Sequence, residues 1–534
     1  MKKALSFFLA LTLFFAAVPA SAESNVKLTA EKADDWTKLF DIRTVTEKAT
    51  WLGADGIYSI PLDGNDAFGS ATEETKTFFP FSDTITGIAT GNGRVRSFKM
   101  VNHTGILLDG NVPVRSELSF YFGMGNNHDA SQNLLTDGRY WLLDGFAKED
   151  ELYLFGFLAG SDLKPQDVKL FKVPLKDGEP DFSAFVETRE PVDLPSLYAV
   201  NTNYMYTFGA GILRNTAAAG AISPDGYVYF YGYRDALNEY SRKDIVCARI
   251  KESDLDDFSK VTYWNGKSWG NDVFSSAPLI QAASCEFSVT PVPFGPYKGK
   301  YIAIYTKDTQ SQYMMYALAD TPVGPFAEPV CFYEAPEHGS RGTSGTGKRY
   351  TYNAKAHPAL SSGTKLLVSY NVNNRCSNIS EGLWTIDYHP RFLWLDLDPF
   401  GTTKTVTSDR YTVADGFIEV SEGTSAADAM KHLTCSDASS ALSFSAAGTL
   451  GTDATLFVKQ SGITLATYTV FLRGDLTGDA QILADDLTAL ARHGSCIEPF
   501  PVGCARERAA DFDRDGFCGA ADLTALARRV GGIS

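Results

Sequence analysis

Histidine and cysteine are scarce in this 534-residue chain, at seven and eight residues. No CxxC pair and no Cys/His cluster at zinc-ligand spacing occurs, which excludes a zinc-ribbon or dithiol redox reading. Basic charge is also short: 48 Lys and Arg stand against 64 Asp and Glu, a formal net charge of −16, and the cations are scattered rather than clustered. A protein that follows a phosphate backbone needs the opposite, so no nucleic acid partner is expected. Apart from Ala4 to Val18 there is no long apolar run, and hence no expected membrane span.

That one run has its own explanation. Met1-Lys2-Lys3 is a basic start, Ala4 to Ala16 an apolar core and Ala20-Ser21-Ala22 a small-residue cleavage site, the order of a secretory signal peptide over residues 1–22. The mature chain is expected to begin at Glu23 and to work outside the cell, secreted or attached to a cell-surface scaffold. Export permits disulfides, but the cysteines form no dense framework. Most read as small core residues, with Cys496 and Cys504 the one local pair expected to bond. What remains is 44% apolar and 13% aromatic, long enough for two to four domains at roughly 100–200 residues each.

The C-terminus carries a duplication. Asp475-Leu-Thr-Gly-Asp479-Ala-Gln-Ile-Leu-Ala-Asp-Asp486 and Asp511-Phe-Asp513-Arg-Asp515-Gly-Phe-Cys-Gly-Ala-Ala-Asp522 lie 36 residues apart, each followed by Leu-Thr-Ala-Leu-Ala-Arg. Carboxylates at loop positions 1, 5 and 12, with an oxygen side chain at 3, match the spacing by which a 12-residue loop surrounds Ca²⁺ with hard oxygen ligands. The expected ligands are Asp475, Thr477, Asp479 and Asp486 in the first loop, and Asp511, Asp513, Asp515 and Asp522 in the second. The first is expected to be weaker, because Ala480 stands where the second has Gly516 and a hydroxyl replaces a carboxylate at position 3.

This repeat pair, 474–534, resembles a type I dockerin, the calcium-stabilised all-α module that plugs a secreted enzyme into the cohesin of a scaffold protein in cellulosome-type assemblies. The resemblance implies two Ca²⁺ ions and a cohesin partner. Before it, residues 401–472 read as a small β-rich spacer of short Thr/Ser/Ala-rich strands, with a helix-like run from Ser425 to Leu433.

Residues 35–400 are organised by repetition. Paired short strands rich in Tyr, Phe, Val and Ile occur at Gly56–Thr84, Arg139–Gly160, Gly220–Asp235, Phe287–Asp308 and His357–Asn373, four of them with open turn signals such as Ser223-Pro-Asp-Gly226. Five sheet units without helical periods between them favour a five-bladed β-propeller over a β-sandwich with long loops. In a propeller the central strands converge on one opening. Asp55 and Asp83, Arg234, Glu286, and His357 with Asn371 are expected on its rim, and Asp144 can point in by alternation. Tyr58, Trp141, Tyr204 and Tyr352 lie near enough in sequence to offer sugar-stacking faces. Opposed carboxylates around a funnel suit glycosidic cleavage, which requires one carboxyl protonated and one ionised. Each residue also has a plainer reading: Asp83 as a turn cap, Asp144-Gly145 as a turn, Glu286 as a rim residue and Arg234 as a neutralising charge. His357 reads equally as a satisfied core histidine or as a ligand to an ion or water at the axis.

The stretches Trp51-Leu-Gly-Ala-Asp55-Gly, Phe81-Ser-Asp83-Thr, Glu286-Phe-Ser-Val-Thr-Pro and Tyr352-Asn-Ala-Lys-Ala-His357-Pro-Ala-Leu-Ser resemble the blade starts of five-bladed propeller glycoside hydrolases, the superfamily of families 43, 117 and 183. The resemblance implies Asp55 as base or nucleophile, Glu286 as general acid, His357 near the axis, and Asp83 and Asp144 as supporting carboxylates on a polysaccharide or oligosaccharide substrate. The alternative is a non-catalytic carbohydrate-binding propeller carried by the same dockerin.

Overall fold

The computed structural model describes residues 27–42, 45–90, 95–237, 242–341, 347–375, 387–399, 404–438, 440–445, 447–460, 463–501 and 503–532. The signal peptide expected over 1–22 and Cys376 lie outside them. The chain divides into two units, Lys27–Thr402 and a C-terminal one that starts at Thr403. Among the described residues no helix is long and apolar enough to cross a membrane.

The first unit is built almost wholly of antiparallel sheets, because its aromatic and β-branched segments suit a pleated, half-buried surface. Five strands follow one another in space, the third and fourth of them members of one ten-stranded sheet. Lys76–Phe81 packs against Tyr140–Lys148, Tyr140–Lys148 against Tyr204–Asn215, that strand against Ile280–Pro291, and the last against Arg349–Ala356. The end returns to the beginning: Ser59 Oγ lies 2.9 Å from His357 Nδ1, and the Ala71 amide donates to the Ala359 carbonyl. Thr29–Lys32 completes the last sheet by pairing antiparallel with Arg391–Asp396. A separate three-stranded sheet, Thr50–Ala54, Thr84–Ala89 and Val95–Val101, carries the residues around Asp55. Short helices also occur at Asp34–Leu39 and Phe182–Thr188, where only strands were expected.

Three of the expected strand pairs begin earlier than their sequences suggest, the fourth at Ile280 rather than Phe287. The third opens with Tyr204–Asn215, well before Gly220, and the fifth with Arg349–Ala356, before His357. Both first strands are interrupted by residues that read as breaks, Gly209-Ala-Gly211 in one and Asn353-Ala354 in the other. These interruptions are β-bulges. Gly209 and Ala210 lie between the pairs Phe208–Gly232 and Gly211–Tyr231. Asn353 and Ala354 together face the single residue Tyr370. Tyr140–Lys148 bulges at Leu143 and Asp144, and Ile280–Pro291 at Ser284 to Glu286. A bulge re-aims the side chains beside it and bends the strand.

In the C-terminal unit the expected 401–472 module and the 474–534 repeat pair share one core. Val406, Ile418, Leu456 and Val470 from the strands are buried with Leu476, Ile482, Leu490 and Leu526 from the repeats. Ion pairs follow the same seam: Arg473 and Arg514 both reach Glu419 Oε1, at 2.9 and 2.7 Å, and Arg529 meets Glu422. The helix expected from Ser425 is one turn, Ala426–Ala429, and Leu433 begins a strand. The repeats form the matched helices Ala484–Gly494 and Ala520–Val530. Cys496 and Cys504 are free thiols rather than a disulfide, and Cys504 Sγ accepts from the Glu507 amide at the start of the helix Ala505–Ala510.

A shared core predicts shared unfolding. Leu526→Ala, at a fully buried site, should cost about 2–5 kcal/mol. Circular dichroism bands for the strands and helices of this unit should then melt together at the lower temperature; separate transitions would show two independent domains.

Candidate functional site

Where the bulged strands converge, a cavity of about 760 Å³ opens, walled among others by Asp55, Asp83, Trp141, Glu286 and Tyr352. Asp55 ends the strand Thr50–Ala54 and is followed by Gly56 at φ 69°, where a Cβ would lie 2.8 Å from Ser82 Oγ, so the turn there requires glycine. The Ser82 amide donates to the Asp55 carbonyl at 2.9 Å, which ties Asp55 to the Asp83 loop. In the side chain, Oδ2 accepts from the Tyr352 hydroxyl at 2.6 Å. Burial, then the charge of Asp83 and more weakly that of Glu286, pushes the Asp55 carboxyl up to about 7 against the hydrogen bonds from Tyr352 and Tyr388.

Asp83 Oδ1 accepts from Trp141 Nε1 at 2.8 Å, a bond to a tryptophan of the neighbouring sheet rather than a turn cap. Burial raises its pKa, and Trp141 and Arg139 pull the other way. Glu286 pairs with the ammonium of Lys355, and both side chains are nearly buried, at 12% and 1% exposure. The Lys355 Nζ also sits 4.1 Å from the centre of the Tyr58 ring.

Asp144 does not wall this cavity. It borders a smaller one of about 40 Å³, its carboxylate accepting from the Gly145 and Ile212 amides, both at 2.8 Å. Its place in a bulge rather than a turn lets it bridge two sheets. Burial pushes it up to about 7, with the two amides and Lys355 opposing. Asp66, a neighbour in the small cavity, is likewise raised by burial.

Three residues expected to bind substrate are elsewhere. Arg234 makes a two-pronged bond to Asp244, at 3.1 and 2.9 Å, and lies over the Tyr204 ring, because the cross-strand Asp244 is nearer than the opening. His357 is the core histidine of its two readings: fully buried, it has one ring nitrogen on Ser59 Oγ and the other on Ser369 Oγ, and burial lowers its pKa to about 3. Asn371 is fully buried opposite Tyr352 and does not reach the cavity. Of the four aromatic residues expected to stack on sugar, Trp141 and Tyr352 are in the wall. Tyr58 is buried with its hydroxyl on the Ala210 carbonyl, and Tyr204 lies beneath Arg234.

Sequence reading missed Lys355, Tyr350 and Tyr388. Strict alternation places Tyr352 and Lys355 on opposite faces, but the bulge between them pairs Tyr352 with Asn371 and Lys355 with Ser369, so both point to the same side. A lysine between two alanines in the strand Arg349–Ala356 was the available signal. Tyr350 stacks on Tyr352 with ring centres 5.4 Å apart and extends the aromatic wall.

In the C-terminal loops, oxygens of Asp511, Asp513 and Asp522 lie within 4.8 Å of one another, a grouping that fits a hard cation. The first loop is arranged differently: Asp475 accepts from the amides of Gly478, Ala480 and Thr452, the last belonging to the strand module. Asp515 Oδ1 accepts from the Phe517 amide and Asp479 Oδ1 from the Gln481 amide. Thr477 hydrogen-bonds Asp486, whose other oxygen caps its helix through the Leu483 amide.

Residues 38–396 match a family described as a domain of unknown function, DUF5005. Among solved structures, a Bacteroides ovatus protein provisionally described as a hydrolase aligns over 71% of this chain and 92% of its own, with a TM-score of 0.50 and 16% identity. A thermostable family-43 glycoside hydrolase aligns over 70% and 93%, with a TM-score of 0.31 and 12% identity. The Podospora anserina α-L-arabinofuranosidase solved with cellotriose aligns over 64% and 97%, at 0.30 and 10%. The first is a likeness of fold, and the other two are too distant to carry an argument. No curated protein matches the chain.

The buried groups give stability a defined pH dependence. Between about pH 4 and 7 native Asp144 keeps a proton that the unfolded chain has released, so its contribution falls as pH rises. His103 and His357, held near 4 and 3, act oppositely: the unfolded chain binds their protons below about 6.5 and the native state does not. A variant isolates the first effect. In urea melts, Asp144→Asn should gain on the wild type as pH rises from 4 to 7, by at most about 1.4 kcal/mol per pH unit, one proton's worth. A pH-independent difference would place Asp144 in an ordinary carboxylate environment.

Proposed function

The chain belongs to the DUF5005 family through residues 38–396, and from the cavity of its first unit we propose that it is a glycoside hydrolase acting on plant polysaccharide. The observation that carries this reading is the gathering of Asp55 and Asp83 with Glu286, more than 200 residues further along the sequence, in one aromatic-walled cavity large enough for sugar units. Hydrolysis of a glycosidic bond requires carboxyl groups in two protonation states on either side of one bond, and these groups differ in burial and partners. We read the five successive groups of strands, the third and fourth joined in one ten-stranded sheet and the last closed by Thr29–Lys32, as the blades of a propeller, and Trp141, Tyr350 and Tyr352 as the faces on which sugar rings stack.

The C-terminal repeats support a second half of the same reading, in which the enzyme is exported and a dockerin attaches it to a cohesin-bearing scaffold. Asp511, Asp513, Asp515 and Asp522 would hold one Ca²⁺, and Asp475, Thr477, Asp479 and Asp486 a weaker second. The ion would supply structural stabilisation there and no chemistry. The involvement of Asp475 with the Thr452 amide favours the inequality of the two loops.

Two measurements test these halves. The intact chain should release reducing sugar from at least one of a panel of arabinans, xylans and other wall polysaccharides. Asp55→Asn and Glu286→Gln should each lower that release at least ~10²-fold while folding is kept. Binding to one polymer without release would favour the carbohydrate-binding alternative. Separately, Ca²⁺ at about 100 times its Kd should stabilise the C-terminal unit by about 2.7 kcal/mol. EDTA should reverse that gain and Asp513→Ala should abolish most of it; an unchanged melting curve would remove calcium from the reading.

A further inference from the structure

Asp55 and Glu286 share the cavity but not an environment. Glu286 lies in the bulge of Ile280–Pro291, and Lys355 just past the bulge of the adjoining strand Arg349–Ala356. The two irregularities bring the ammonium onto Glu286 Oε2. Lys355 is 1% exposed, and its Nζ rests on the Tyr58 ring, which is fixed by a hydroxyl bond to the Ala210 carbonyl. A buried ammonium requires a counter-charge, and Glu286 is the carboxylate that supplies it. The other ionisable groups facing Glu286 are Asp55, Asp144, Tyr58, Tyr233 and Cys285. Lys243, which also walls the cavity, pairs with Asp235.

Asp55 faces the opposite surroundings. Its neighbours are the carboxyls of Asp83 and Glu286 and the hydroxyls of Tyr352 and Tyr388, with the Tyr350 hydroxyl also in electrostatic reach. Hydroxyl donors soften the cost of charge, but two carboxyls and burial exceed them, and the group is pushed up to about 7.

From these contrasting partners we infer that Asp55 is the proton donor and Glu286 the ionised carboxylate of the reaction, with Lys355 the positioning residue that keeps Glu286 charged. This reverses the roles implied by the sequence resemblance and rests on the glycosidase reading above. As the bond between the anomeric carbon and the departing oxygen breaks, the Asp55 proton passes to that oxygen, which leaves as an alcohol. The anomeric carbon takes its new electron pair from a water oxygen whose proton Glu286 accepts, or from Glu286 itself, whose ester is then hydrolysed with Asp55 as base. Either way one water is consumed; the ester route returns both carboxyls to their starting states, and in the direct route Glu286 gives its proton to solvent and Asp55 regains one from it.

Leaving-group dependence separates the roles. On the full-length protein, with a released wall glycan and the 2,4-dinitrophenyl glycoside of the same sugar, Asp55→Asn should lose ~10²–10⁴-fold on the glycan but less than about tenfold on the dinitrophenyl substrate, which leaves without a proton. Glu286→Gln should lose at least ~10³-fold on both, and added azide should restore cleavage of the dinitrophenyl glycoside. Lys355→Met should move the acid limb of the kcat/KM profile to higher pH, whereas Lys355→Arg, which keeps the cation, should leave it in place and also serves if Lys355→Met fails to fold. A dinitrophenyl activity spared by Glu286→Gln instead of Asp55→Asn, or equal losses on both substrates in both variants, overturns the assignment. An unmoved acid limb makes Lys355 merely structural. A wild type that cleaves no glycan and no aryl glycoside overturns the hydrolase reading, and the assignment with it.

Discussion

A β-strand that keeps strict alternation cannot place neighbouring polar groups on one side of a sheet, and the cavity of this protein depends on breaking that rule. Each of the strands that carry Asp144, Glu286 and Lys355 leaves residues outside its ladder. Tyr352 and Lys355 thereby share a face, one meeting Asp55 and the other Glu286. Without the bulges these side chains would point into the packed layers between sheets, where Tyr231 and Phe287 already fill the space.

Electrostatics follow from that placement. The region around the cavity holds one nearly inaccessible ammonium and several carboxyls, and the ammonium contacts only one of them. The placement of that buried ammonium distinguishes Glu286 from Asp55 and Asp144, which burial pushes up to about 7, while Arg139 acts on Asp83 and Lys243 pairs with Asp235. Elsewhere in the unit, cations are used for structure: Arg234 on Asp244, Arg349 on Asp387 and Arg214 on Glu252 are partly or wholly buried pairs. Such pairs fix geometry more than they add stability.

The C-terminal unit follows a different economy of burial. Neither the strands nor the repeat helices are large enough to bury a sizeable core alone, and the structure fuses them around Leu456, Leu476 and Leu526. One consequence reaches the first acidic loop, where Asp475 is engaged by a backbone amide of the strand module. The duplication is therefore exact in the helix starts Asp-Leu-Thr-Ala-Leu-Ala-Arg and unequal in the loops and their surroundings.

The sequence by itself determined the periodic features. Apolar alternation and turn residues marked the sheet units. The 36-residue offset marked the acidic loops, and Asp55 and Asp83 were legible because they stand at strand ends beside turn signals, whereas Glu286, read as preceding a strand, lies within Ile280–Pro291. Period-two reasoning failed at the bulges, since a bulge is stabilised by the sheet packed against it and not by the residues within it. Asp144 was therefore legible as a residue but not in its place, and Lys355 was missed. The positions of Arg234, His357 and Asn371 were likewise decided by tertiary structure. Whether a polar side chain turns to an opening or to a buried partner depends on which partner the neighbouring strand presents: Asp244 for Arg234, and Ser59 with Ser369 for His357. Those partners are brought within reach only when the sheets close on one another, because an isolated buried polar group is too costly to leave unpaired when a hydrogen bond is available.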